Sequence, residues 1–329
     1  MGPHHEHVPA VDILTLTPNP ALDITTSIDR ILPTHKMRCG PARYDPGGGG
    51  INVARVGHAL GARTRAVFPV GGPTGEKLVM LLSAEGVDHV RIPIAGSTRE
   101  SFTVDEEQTR LQYRFVLPGP TLTDAEQKAC LDQLRVHAAT ARFVVLSGSL
   151  PPGTTPDFCQ RVADVCAESG TPFILDTSGI GLRQVRSGVF LIKPSVRELA
   201  EYIGADLPTE RERATAATYL ISRGLAQHVL VSMGSEGALL VSANQTLRFQ
   251  TPRVQGHSSV GAGDAMVAGV TTGLVRGWPL SKAVRLGTAA GAAMLLTPGT
   301  AVCTQDEVDR LLTAVPEPRP LDGVPSGTS

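Results

Sequence analysis

The sequence lacks most of the features that staple, anchor or export a protein. Its five cysteines, Cys39, Cys130, Cys159, Cys166 and Cys303, are odd in number and none has CxxC spacing. That excludes a disulfide framework or a zinc site of the usual pattern and leaves reduced thiols as the economical reading. No apolar run is long enough to cross a bilayer. The polar start, Met1-Gly-Pro-His-His-Glu-His7, has no apolar export region, so a cytoplasmic setting is expected. His4, His5 and His7 read as a frayed terminus rather than a chelate. Surplus positive charge is missing too. At a formal net charge of −1 no overall field attracts nucleic acid, and an acidic substrate has to be held by local sites. There is no repeat of fixed period.

What remains is a chain of 329 residues, 41% hydrophobic, enough for one large or two modest domains with a substantial core. Short Val/Ile/Leu/Phe runs at 11–16, 64–70, 143–147, 173–176, 189–192 and 228–232 read as parallel strands covered on both faces. Amphipathic stretches at 52–60, 75–85, 124–139, 155–168 and 210–222 alternate with them as helices. The pattern predicts an α/β fold with a doubly wound, mostly parallel sheet flanked by helices. Two segments break it, 22–44 and 99–117. Polar and apolar residues alternate there, as in Arg110-Leu-Gln-Tyr-Arg-Phe-Val-Leu117, which predicts a small antiparallel β lid. The expected division is a core of 10–23, 45–98 and 118–315, a lid of 24–44 and 99–117, and disordered tails at 1–9 and 316–329. An open lid face suits a homodimer.

Four loops can carry chemistry. Ser258-Ser-Val-Gly-Ala-Gly-Asp-Ala-Met266 runs into a helix, so its glycines can aim free backbone N–H groups at an anion. Asp264 at that helix start can accept a proton from an attacking hydroxyl, although spacing alone explains it equally well as a helix cap. Asp45-Pro-Gly-Gly-Gly-Gly-Ile-Asn52 also feeds a helix. Close approach of backbone to a ligand accounts for its glycines, and so does a hinge under the lid. A dinucleotide loop is disfavoured, because Gly-x-x-Gly spacing is absent and the run does not follow the first core strand. Val145-Leu-Ser-Gly-Ser-Leu-Pro-Pro-Gly153 ends a buried strand at the sheet edge where α/β ligands bind. Leu230-Val-Ser-Met-Gly-Ser-Glu-Gly-Ala238 is a turn able to wrap a nucleotide, or a plain hairpin. Lys36, Arg99 and Arg114 in the lid segments supply cations for a phosphorylated sugar, or are surface charge. Asp23 can hold two sugar hydroxyls.

As an ordered set, Asn19-Pro-Ala-Leu-Asp23, Pro46–Arg55, Ser147–Gly153, Lys193-Pro194 and Val260–Asp264 resemble the PfkB (ribokinase-like) sugar kinase family, over about residues 12–304. Lys36–Cys39, Gln112–Gly119 and Gly299-Thr300 are further similar to the 6-phosphofructokinases of that family. The resemblance implies ATP-dependent phosphorylation of the C1 hydroxyl of fructose 6-phosphate, with Mg2+. It implies Asp264 as general base and the amides of Gly261, Ala262 and Gly263 as the anion hole. Asp23, Gly48, Gly49, Asn52, Arg99, Arg114 and Ser147 fall at sugar-phosphate positions, and Lys36 at a lid lysine reaching the site. Lys193, Ser195, Glu198, Ser232, Gly234 and Gly237 fall at nucleotide positions, with Glu198 organising Mg2+ through water. A monovalent cation such as K+ would sit on carbonyls of Ser258 and Val260, near Thr297 and Gly299. One departure stands out: the family's Asn-x-x-Glu is Ser195-Val-Arg-Glu198 here. Tagatose 6-phosphate or fructose 1-phosphate kinase, and a catalytically impaired sugar-phosphate sensor, are the alternatives. A dinucleotide-binding oxidoreductase is more distant.

Overall fold

The computed structural model describes residues 10–254 and 260–321. Val11-Asp-Ile-Leu-Thr-Leu16 (β1) is buried along its whole length, and so is Thr64–Val70 (β4). Strands buried on both faces need helices on both sides, and a parallel sheet provides them. In chain order the others are β2 (Ala21–Ile28), β3 (Arg43–Gly47), β5 (Asp88–Pro93), β6 (Arg99–Glu106), β7 (Leu111–Val116) and β8 (Ala141–Ser147). There follow β9 (Phe173–Asp176), β10 (Val189–Ile192), β11 (Ala226–Ser232), β12 (Ala238–Ser242), β13 (Gln245–Phe249) and β14 (Arg319–Pro320).

Ten strands form one sheet in the order β14-β13-β12-β11-β10-β9-β8-β1-β4-β5. From β11 to β5 every neighbouring pair is parallel, and β12, β13 and β14 add an antiparallel edge. The chain leaves β1 first towards β4 and later towards β8, so strand order reverses there. The crevice at the carboxyl ends beside β1 is where ligands of such sheets bind.

One apolar layer packs helices Asp124–Ala138, Phe158–Ser169, Val196–Ile203 and Glu210–Ser222 on one face of the sheet. The other packs Gly49–Ala59, Ala262–Val275, Leu280–Met294 and Gln305–Ala314 on the opposite face. The Ala262–Val275 and Leu280–Met294 helices touch backbone to backbone: a Cβ at Gly269 would lie 2.7 Å from the Cα of Gly287. Glycine is needed at that crossing. Among the described residues no helix is long and apolar enough to cross a membrane.

The lid is a four-stranded sheet, β3-β2-β6-β7. Its outer pairs are antiparallel, while β2 and β6 run parallel at its centre, from Ala21 against Arg99 to Ile28 against Glu106. The two segments are separate excursions from the core, and both enter the lid in the same direction. The tail expected to lack structure from residue 316 does not do so throughout. Arg319 pairs with Arg248 at the sheet edge, and Leu321 packs on the core.

Candidate active site

Successive strand ends bring polar groups to one edge of the large sheet. Ser147 ends β8, Asp176 ends β9, Lys193 follows β10 and Ser232 ends β11. The parallel register sets Ser147 beside Asp176. Lys193 Nζ lies 3.0 Å from Asp176 Oδ1 in an almost fully buried ion pair. Burial works against the charge on Lys193, but Asp176, and after it Glu198 and Asp264, raise its pKa above the usual value.

Asp264 enters this cluster from the first turn of the Ala262–Val275 helix. Gly261 is the N-cap, in the left-handed region at φ 74°, and among the described residues no side chain caps the helix there. Asp264 is therefore not the cap that its position in the sequence allowed. Its carboxylate turns to other partners: Asn52 Nδ2 donates to Oδ2 at 2.9 Å and Ser147 Oγ to Oδ1 at 3.2 Å. Ser147 Oγ is also 3.4 Å from Asp176 Oδ2, so its one proton serves two carboxylates. Burial, and then the neighbouring Asp176 charge, push Asp264 up to about 7, against the pull of Asn52, Lys193 and Ser147. A carboxylate at that value ionises in the range a neutral-pH base needs. Asn52 Oδ1 is buried and, among the described residues, has no hydrogen-bond partner.

The run Gly47–Gly50 is small for a reason internal to the protein. A Cβ at Gly47 would lie 2.2 Å from Asp23 Oδ2, at Gly49 2.4 Å from Ser147 Oγ, and at Gly50 2.5 Å from Thr17 Oγ1. Gly48 needs its positive φ of 106°. The glycines thus let the helix Gly49–Ala59 start against two strand ends, a packing role beyond hinge or ligand approach.

Asp23 faces the site from β2. Burial raises it to about 6, while Arg114, Arg99 and Arg55 draw it down and Asp45 adds to the rise. Arg99 donates from Nη2 to the Asn19 carbonyl at 3.1 Å and from Nη1 to that of Leu117 at 3.0 Å, so it also clamps the lid root. Arg114 is exposed on β7, and Lys36 is exposed on the loop joining β2 to β3.

Ser195 caps the helix Val196–Ile203. Its Oγ and backbone N each donate to Glu198 Oε2 at 2.8 Å, and Glu198 N donates back to Oγ at 3.2 Å. The residue that departs from the family pattern is the N-cap of a capping box. Ser232 N donates to the Pro194 carbonyl at 2.9 Å, joining β11 to this helix start. Gly234 and Gly237 bracket the turn from β11 to β12 at φ 58° and 101°. A Cβ on Gly237 would meet the Phe249 carbonyl at 2.1 Å.

Ser258 lies outside the described residues, and Val260 is buried. Thr297 Oγ1 lies 2.9 Å from the carbonyls of both Met294 and Ala301, which share its one proton, and Gly299 abuts Thr25 of the lid. Two residues were not singled out from the sequence. Asp176 is a lone acid at a strand end, visible only through strand register. Arg55, buried, donates to the Pro46 carbonyl at 2.9 Å, to that of Thr300 at 3.0 Å and to Glu85 at 2.6 Å. It ties the glycine run to the loop after the Leu280–Met294 helix. The Ala-Arg that follows Asn52-Val was its signal.

Comparison with known proteins bears on the family and the fold. Residues 16–307 match the pfkB family carbohydrate kinase profile. The chain is 62% identical over 306 residues to the ATP-dependent 6-phosphofructokinase isozyme 2 of Mycobacterium tuberculosis strain H37Rv, covering 93% of this chain and 90% of the relative. The structure of phosphofructokinase-2 from Escherichia coli in complex with potassium superposes with a TM-score of 0.86 at 36% identity, covering 92% of this chain and 99% of that one. Arabidopsis thaliana ribokinase, at 20% identity and a TM-score of 0.74 over 92% of this chain and 99% of its own, shares the fold. With its ribokinase-like sheet and lid, this chain belongs to the pfkB family of carbohydrate kinases.

Proposed function

We propose that this chain is an ATP-dependent 6-phosphofructokinase that transfers the γ-phosphoryl group of ATP to the C1 hydroxyl of fructose 6-phosphate. The observation that carries the reading is the buried Oδ1 of Asn52, unpartnered among the described residues, beside the raised Asp264 carboxylate. A sugar hydroxyl can donate to the former while its neighbour gives a proton to the latter. The hydroxyl oxygen attacks phosphorus in line, Asp264 takes the proton, and the bond to the ADP oxygen breaks. The amides of Gly261, Ala262 and Gly263 at the helix start hold the transferring group. Asp23, Asn52 and the Gly48–Gly49 loop bind the sugar, and Arg99, Arg114 and Lys36 its phosphate. Lys193, Ser232, Gly234 and Gly237 line the nucleotide side. The close relative's printed activity supports this choice of substrate and nucleotide.

Among the described residues no group of three or more His, Cys, Asp or Glu could hold a metal ion. Mg2+ would be carried mainly by phosphate oxygens and water, with Glu198 in the outer shell. Bound Mg2+ would neutralise charge on the phosphates. Potassium in the E. coli relative supports a K+ site at the Val260 carbonyl.

We also propose a homodimer through the lid. Tyr44, Ile24, Phe102 and Phe115 form one row across all four lid strands, with Phe102 37% and Phe115 56% exposed. An apolar face of this kind favours a partner. Sedimentation as a monomer at micromolar concentration would remove this part of the proposal.

The test of function is ADP release with fructose 6-phosphate, tagatose 6-phosphate, fructose 1-phosphate and unphosphorylated fructose. Fructose 6-phosphate should give the highest kcat/KM. A preference for fructose 1-phosphate would reassign the substrate, and no release with any sugar would favour a sensor.

A further inference from the structure

An open groove of about 1240 Å3 lies at the other end of the strands from Asp264. Arg186 stands just before β10 and Arg223 just before β11, whereas Lys193 and Ser232 lie at the carboxyl ends of those strands. Ile203, Leu207 and Leu225 give the groove an apolar floor, and Tyr202 and Tyr219 stand beside it. Four guanidinium groups surround it, from Arg183, Arg186, Arg211 and Arg223. Among the described residues its one lining carboxylate, Glu212, is engaged with Thr209 in a helix cap.

Elsewhere in the chain arginines pair with acids, as in Arg55–Glu85, Arg65–Asp88 and Arg213–Glu236. Among the described residues Arg186, Arg211 and Arg223 form no ion pair, and Arg183 donates to the Glu201 backbone carbonyl. Tyr202 shows how closely the groups converge. Burial, and then Tyr219, raise its hydroxyl above the usual value while Arg223 and Arg183 pull it down. Uncompensated cations over an apolar and aromatic floor suit a ligand that brings both phosphate charge and a flat body.

We propose that this groove is a second binding site, separate from that of Asp264, for a phosphorylated compound with an aromatic body. Nucleoside diphosphates and aromatic phosphate esters share that chemistry. The phosphate pairs with Arg186 and Arg223, whose planar forks match its oxygens, and the ring lies against Tyr202 and Tyr219.

Equilibrium dialysis against labelled ADP tests this. The variant with both Arg186→Glu and Arg223→Glu should bind one ADP fewer per chain than the wild type, with kinase turnover within twofold and an unchanged unfolding midpoint. Equal stoichiometry overturns the proposal. Should the double variant misfold, the exposed Tyr219→Ala alone should weaken ADP at the groove by about tenfold, and no change overturns it. In competition, 1-naphthyl phosphate displacing this ADP assigns the site to aromatic phosphates in general, and failure to displace it assigns nucleotides. Inorganic pyrophosphate displacing ADP as well as ADP itself would show that charge alone binds, which contradicts the aromatic part.

Discussion

Asn52 and Asp264, 212 residues apart in the chain, meet through a 2.9 Å hydrogen bond from the amide of one to the carboxylate of the other. The bond joins the first turn of the helix after the glycine run to the first turn of the helix after Gly261. Two helix starts thus share one buried acid, and the remaining Asn52 oxygen is left for a ligand. The bond stabilises the ionised form of Asp264 and restrains the rise caused by burial.

The pH dependence follows. With Asp264 at about 7, kcat/KM for the sugar phosphate should fall as pH drops through that value, because the base becomes protonated. Asn52→Leu removes a group that lowers this pKa. The acid limb should move to higher pH, and kcat/KM at pH 7 should drop about tenfold or more, the scale of a lost hydrogen bond to a charged group. A pH–rate profile of the variant that overlays the wild type would contradict the role given to Asn52.

Gly49→Ala tests why the glycines are there. The new Cβ would stand 2.4 Å from Ser147 Oγ and 2.6 Å from Gly148 N, so a helix start or a strand end must shift. Overpacking of this kind costs about 1–3 kcal/mol. Denaturant unfolding should show that loss, and turnover should fall as Ser147 is displaced from Asp264. Wild-type stability would mean that the run serves only ligand approach.

Ser195 should behave as a cap. Ser195→Ala should cost about 1 kcal/mol of stability, whereas Ser195→Asn, an equally good cap, should change it little. Both values come from denaturant melts. If alanine is neutral while asparagine alters the KM for ATP, the residue acts on the nucleotide and not through the helix.

Much of this was legible in the chain. Continuous apolar runs placed β1, β4, β9 and β10 at their observed bounds, because strands covered on both faces carry no competing pattern. Asp264, Asn52 and Ser147 were found through their glycine-rich loops, but which of them touch was not. Spacing alone leaves Asp264 open between helix cap and base, and the structure puts Gly261 at the cap. Ser195-x-x-Glu198 was read as a departure from a family pattern when it was also a capping-box signature. Asp176 carried no local signal, since it gains meaning only when β9 pairs with β8 and Lys193 arrives from β10. The parallel pairing of β2 with β6 was equally hidden, because alternation fixes a strand's faces but not its direction.

The most direct measurement is turnover and stability of Asp264→Asn side by side. The folded carboxyl holds its proton up to about 7, against 3.8 for an unburied aspartate. The wild type therefore gives up stability as pH rises between those values, and a neutral amide escapes that cost. At pH 8 the variant should unfold at or above the wild-type temperature while kcat falls at least about a hundredfold, the scale of a general base. Near-normal turnover in a well-folded Asp264→Asn enzyme would contradict the account.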